Sequence, residues 1–219
     1  MDKLQKIIAW IPALLSGAWV TITLTLLSVC AGLILSLFFA LGKMSKNKIV
    51  NKFCSGYIFF FRGTPLLMQL YFIYYGLPVL TPALTISNRF IAAFIAFALN
   101  SAAYCAEIIR AAVLSIDKGQ FKASRALGLT YAQTMRLVII PQSILRLIPP
   151  VGNEFIMILK DASLVSIIAL TDISKATQAI ALSSGSVLVY IPAMILYLII
   201  TAIFSFVFHK LEKKYSIYE

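Results

Sequence analysis

Long apolar runs separated by short clusters of lysine and arginine set the pattern of this chain. Residues 7–42 carry no charge, which exceeds the roughly 20 residues an α-helix needs to cross a hydrocarbon core of about 30 Å. Pro12 and the Ser16-Gly17 pair interrupt the run. It therefore divides into a short interfacial helix over residues 2–14, with Trp10 at headgroup depth, and a first span over residues 19–41. Further spans are expected at 64–80, 90–111, 150–170 and 187–208, with 112–149 as one long loop. The expected fold is an all-α integral membrane protein: five transmembrane helices, a short N-terminal interfacial helix and cytoplasmic helices in the loop, all in a single domain over residues 1–219. Lys3 and Lys6 precede the first apolar run, but no small-residue cleavage site follows, so the N-terminus is expected to be retained.

Composition agrees with this pattern. Of 219 residues, 61% are hydrophobic and 12% charged, against about 45–50% apolar and about 25% charged in an ordinary soluble domain. Soluble enzymes, secreted disulfide scaffolds and disordered chains are excluded. The net charge of +11 raises the question of nucleic-acid binding, which the positions of the basic residues answer. They follow span one (Lys43, Lys46, Lys48, Lys52, Arg62), span three (Arg110, Lys118, Lys122, Arg125, Arg136, Arg146) and span five (Lys210, Lys213, Lys214). That asymmetry is a membrane-orientation signal, with the N-terminus outside and the C-terminus in the cytoplasm. Cys30, Cys54 and Cys105 lack metal or redox spacing, and His209 has no ligand partner nearby in sequence. No metal site and no nucleic-acid partner are expected.

The loop at 112–149 has internal structure. Gln120 to Leu127 fits two helical turns ending at Gly128, which suits the left-handed position past a helix end. Thr130-Tyr131-Ala132-Gln133 fits a capping box, opening a helix expected to run until Pro141 breaks or kinks it. Lys122-Ala123-Ser124-Arg125-Ala126-Leu127-Gly128, nine residues, then Val138-Ile139-Ile140-Pro141 resembles the EAA loop of ABC importer permeases. Gly and Pro fall at the family spacing, while Lys122 stands where Glu is usual and Ser124 where Ala is usual. Phe61-Arg62-Gly63-Thr64-Pro65-Leu66-Leu67, Asn153-Glu154-Phe155-Ile156 and Lys160-Asp161-Ala162-Ser163-Leu164 narrow the resemblance to permeases for polar amino acids.

The resemblance implies a subunit without ATPase activity, and the chain carries no G-x-x-x-x-G-K-[ST] loop. It implies a second permease chain in a homodimer or close heterodimer, two ATP-binding subunits that hold ATP and Mg, and an extracytoplasmic substrate-binding protein. The short loop helix would dock on an ATP-binding subunit, through Phe121, Lys122, Ala123 and Leu127, with Gly128 permitting the turn. Lys122 either meets an acidic residue of that partner or is a tolerant solvated position. The alternative for the whole loop is a basic helix lying on anionic lipid.

Three of the eight acidic residues, Glu107, Glu154 and Asp161, fall within expected spans, where a carboxylate costs about 2.5–3.5 kcal/mol near the helix centre. Glu154 and Asp161 are seven apart, on nearly one helix face, and Asn100, Tyr104 and Glu107 form an i, i+4, i+7 stripe. Facing stripes would line a polar route with an anionic bias. The expected substrate is a basic amino acid, arginine, lysine or histidine, its α-carboxylate held by Asn100, Ser163 or Lys160. Three alternatives stay open: Glu107 simply pairs with Arg110, the acids are structural in a permease for glutamine or another polar amino acid, or the chain is a cation channel subunit. Thr64-Pro65 reads as a helix start and Gln69 as a weaker lining candidate.

Overall fold

The computed structural model describes residues 3–215, and every element among them is helical. Helix α1 runs from Lys3 to Lys43 as one uninterrupted rod that includes Pro12. The expected interfacial helix and first span are thus a single element; Asp2, in the expected range, lies outside the described residues. Gly17 does not break the helix because it serves packing. A Cβ there would sit 2.6 Å from the Asp172 backbone, so only glycine lets α1 approach the start of a later helix this closely.

Helix α2 (Lys48–Gly63) opens on Asn47, whose side chain accepts from the N–H groups of Ile49 and Val50. Thr64 and Pro65 are extended, and helix resumes as α3 (Leu66–Tyr71), a π turn (Phe72–Gly76) and α4 (Leu77–Leu80). Helix α5 (Arg89–Leu114) is capped by Asn88, and α6 (Lys118–Ala126) by Asp117. Then follow α7 (Tyr131–Thr134), a π turn (Met135–Ile139) and α8 (Ile140–Asp161), the last running on into a 3₁₀ segment, Ala162–Ile168. Helix α9 (Ile173–Ser184) is capped by Asp172 and ends on the left-handed Gly185, and α10 (Tyr190–Tyr215) is the last element among the described residues.

Of the two outcomes expected at Pro141, the helix is not broken there but locally distorted. A π turn stands immediately before it, with the Ile140 N–H reaching back to Met135 O, and the same arrangement precedes Pro78, with Leu77 N–H bonded to Phe72 O. The wider turn moves the preceding carbonyls away from the proline ring, so the helix continues with a local adjustment. The α-helix at the expected span 150–170 lies earlier in the chain, starting at Ile140 and ending at Asp161, with the rest of the expected range partly 3₁₀.

The core gathers around α5. Its face of Ala92, Ala93, Ala96 and Phe97 is wholly buried against Leu24 and Val29 of α1, Leu70 and Ile73 of the third and fourth helices' segment, and Phe155 and Ile158 of α8. Alanines let these helices come close where apolar driving force between them is weak. Three helical stretches are long and apolar enough to cross a membrane among the described residues, Gln5–Lys43, Arg89–Leu114 and Val187–Tyr215, and Leu66–Leu80 is a shorter apolar one.

Candidate functional site

The break between α2 and α3 organises the site. Pro65 confines Thr64 to extended backbone and lacks an N–H, so the helix stops where the Arg62-Gly63-Thr64-Pro65 sequence begins to unwind. Both sides of the break lie along α5. The Tyr57 hydroxyl donates to Leu99 O at 2.7 Å, and Ile58 packs with Ala106 and Ile109, while Leu70 and Ile73 pack with the alanines near the other end of α5. Residues 48–80 therefore form one discontinuous element antiparallel to α5, whose middle residue Asn100 faces the gap.

Unwound backbone packed among helices needs partners for its polar groups. Here Gln69 Nε2 donates to Phe61 O at 2.9 Å, to Thr64 O at 3.1 Å and to Thr64 Oγ1 at 2.9 Å. Asn100 Nδ2 donates to Phe61 O at 3.1 Å and to Gln69 Oε1 at 3.0 Å. Gln69, a weaker lining candidate by sequence, is the buried clamp of the break. Asn100 uses its amide hydrogens on that clamp, leaving only its carbonyl oxygen for a ligand.

Beside the break lies a cavity of ≈ 310 Å³, lined by Arg62, Thr64, Asn100, Tyr104, Glu154, Met157 and Asp161 among others. Four of the five sequence-selected membrane residues thus meet in one place. Glu154 is 5% exposed, and its Oε1 is buried without a hydrogen-bond partner. A buried carboxylate oxygen with nothing to accept from is costly unless something else supplies the donor. Arg62 Cζ stands 5.2 Å from the Tyr104 ring centroid, stacked over its face.

Glu107, expected with the others, is not part of this lining. Lys43 Nζ lies 2.8 Å from its Oε2, and Arg110 donates to its Oε1 through Nε at 2.9 Å and through Nη2. That triplet ties the end of α1 to α5. Lys160 and Ser163, expected as carboxylate donors, line a different cavity of ≈ 510 Å³ with Ser174 and Tyr197. Arg62, grouped by sequence with the basic residues that follow span one, is the lining residue that sequence reasoning missed. Its signal was present: it is the only charge between Phe53 and Leu84, and an ionisable residue in such a run marks a pathway or site by default.

The loop helix is α6, with Lys122 and Ala123 exposed and Leu127 82% exposed. Gly128 takes φ +82°, a conformation that favours glycine, and the Thr130–Gln133 capping box forms with Gln133 N–H donating to Thr130 Oγ1 and Thr130 N–H to Gln133 Oε1. Phe121 is half-buried and stacks with Tyr131 at a 6.4 Å centroid separation. No group of three or more His, Cys, Asp or Glu that could hold a metal ion occurs among the described residues.

Known proteins match over nearly the whole chain. The L-cystine transport system permease protein TcyB of Bacillus subtilis (strain 168) is 42% identical, over 94% of this chain and 88% of its own. The glutamine transport system permease protein GlnP of Escherichia coli (strain K12) is 37% identical, over 94% of each. A solved chain described as an amino acid ABC transporter with histidines superposes with a TM-score of 0.91 at 40% identity, over 98% of this chain and 99% of that one. The profile of the binding-protein-dependent transport system inner membrane component family matches residues 32–217, and with these relatives it shows that the chain belongs to that family of ABC importer permeases.

Proposed function

We propose that this chain forms the substrate pathway of an ATP-driven amino-acid uptake system, and that the amino acid it carries has a basic side chain. Amino-acid transport is supported by the names of the relatives, which are permeases for cystine and glutamine, and by the structural neighbour's description. The basic side chain rests on one observation. The cavity at the helix break holds two carboxylates, Glu154 and Asp161, against one guanidinium, Arg62, and a buried oxygen of Glu154 lacks a donor. Arg62 receives the α-carboxylate, for which its planar fork is suited. Glu154 and Asp161 receive the α-ammonium and the side-chain cation, with the Tyr104 ring and the Asn100 carbonyl completing the lining. Glu107 has its charge matched by Lys43 and Arg110 and is left out of the substrate site.

On this reading residues 48–80 form the second of five spans, with the cavity near the midplane, where transporter sites lie at discontinuous helices. The N-terminus is outside and the C-terminus cytoplasmic. A second permease chain closes the open side of the cavity, an extracytoplasmic binding protein delivers substrate, and two ATP-binding subunits dock on α6 and its exposed Leu127. Their closure moves α6, and the turn at Gly128 passes that motion to α7 and α8, the helix that carries Glu154 and Asp161. The chain supplies the route and its selectivity, while ATP and Mg belong to the partner subunits.

The experiment is substrate binding to the detergent-solubilised permease complex without its binding protein, by calorimetry with arginine, lysine, histidine, glutamine and cystine. The expected order puts arginine and lysine first. Glutamine or cystine binding more tightly than arginine would overturn the basic assignment. It would favour a polar, net-neutral amino acid, the reading that the relatives' names support.

A further inference from the structure

A larger cavity, ≈ 860 Å³, lies between the ends of α1 and α5 and the loop helix α6. Its position is fixed by sequence. Lys43 ends α1 and Leu114 ends α5, both where apolar segments give way to charged loops, so the cavity sits at the depth of lipid headgroups.

Its walls combine two chemistries. Leu41 and Leu114 present exposed apolar side chains, 64% and 62% accessible. Lys43, Arg110 and Lys118 bring positive charge to the same space. The first two share the single carboxylate of Glu107, so the trio of Lys43, Arg110 and Glu107 keeps one positive charge in excess, and Lys118 is exposed. Neighbouring Asp117 is turned to its own helix start, where it accepts from the Gly119 N–H.

Water in this space would leave the leucines wet, a purely hydrocarbon occupant would leave the cations without counter-charge, and a zwitterionic headgroup would bring its own ammonium towards them. An anionic phosphodiester on an acyl chain meets both walls. We propose that this cavity is a binding site for an anionic phospholipid, with its phosphate among Lys43, Arg110 and Lys118 and its acyl chain along Leu41 and Leu114. The wall on the loop side is the Phe121–Tyr131 stack. The bound lipid therefore braces α6 against α1 and α5, and the lipid composition of the membrane sets how firmly the loop helix is held.

The test uses the full-length chain, exchanged in mild detergent into phosphatidylcholine with or without phosphatidylglycerol, then washed. Retained lipid is counted by mass spectrometry. Phosphatidylglycerol should stay bound in preference to phosphatidylcholine. Each basic residue removed should weaken retention roughly fivefold: Lys118→Gln by that factor, the Lys43→Gln/Lys118→Gln pair by about its square, and Lys118→Arg hardly at all. Lys118 is exposed, so its substitution leaves folding intact and the single variant suffices if the pair misfolds. Equal retention of the two lipids, or no loss in Lys118→Gln, overturns the proposal. So does displacement of the lipid by inorganic phosphate, which marks a simple anion site.

Discussion

Two clusters of charge lie along α5, and they resolve opposite problems. Towards its end, Glu107 is matched by Lys43 and Arg110, so burial of a carboxylate there buys a tie between two helices. Near its middle, Glu154 faces Asn100, Tyr104 and Arg62 across a cavity, and one of its oxygens has no partner. In the first cluster both oxygens of the carboxylate are partnered within the chain. The second leaves Glu154 Oε1 without a hydrogen-bond partner, the acceptor that the proposed substrate would fill. A carboxylate in a span is thus not a single kind of signal: its meaning depends on whether its hydrogen-bonding capacity is used up by neighbours.

Substitutions can break or sharpen that contrast. The largest effect is expected from Glu154→Gln. Hydrogen bonds to charged groups are worth about 1.5–3 kcal/mol, so substrate affinity should fall by one to two orders of magnitude in calorimetry, with the complex still assembling. If affinity is unchanged, the unpartnered oxygen has another explanation and the contrast collapses. Arg62→Lys comes next. It keeps the charge but loses the fork and the stack on Tyr104, and the KM for uptake should rise by about tenfold. An unchanged KM would remove Arg62 from carboxylate recognition.

Asn100→Ala probes the positioning of the break. Losing its bonds to Phe61 O and Gln69 Oε1 leaves buried acceptors underused, each worth about 1–3 kcal/mol. Uptake should fall several-fold, and protease sensitivity around residues 61–69 should increase. Glu107→Gln should do least to substrate affinity, within about twofold, while lowering thermal stability in detergent because Lys43 and Arg110 lose their shared partner. A large loss of affinity with no loss of stability would reverse the two assignments.

Much of this fold was legible in residue patterns. The Gly128 turn and the Thr130–Gln133 box follow from local chemistry that operates over four residues, and the structure reproduces both. The start of α2 is equally local, since Asn47 is a good cap, but Lys46 and Lys48 on either side mask it in the charge pattern. Asp172, the cap of α9, is local in the same way, its carboxylate accepting from the Ser174 and Lys175 N–H groups. Pro141 left two outcomes open, a break or a kink, that the sequence did not decide. Proline ends a helix only if the chain cannot widen its turns, and the π turn before it removes the conflict.

The sequence by itself determined that this is a helical membrane chain, which segments are apolar enough to be embedded, and that Glu107, Glu154 and Asp161 needed a reason to be among them. Those are properties of composition and spacing, and burial in lipid enforces them one segment at a time. Only the tertiary structure decided which acids are paired and which are open. Lys43 is 64 residues from Glu107 in the chain, and Arg62 is 92 from Glu154, so no helical period relates them. Packing along α5 brings the first pair into contact and sets the second across a cavity, and that difference separates a structural tie from a candidate binding site.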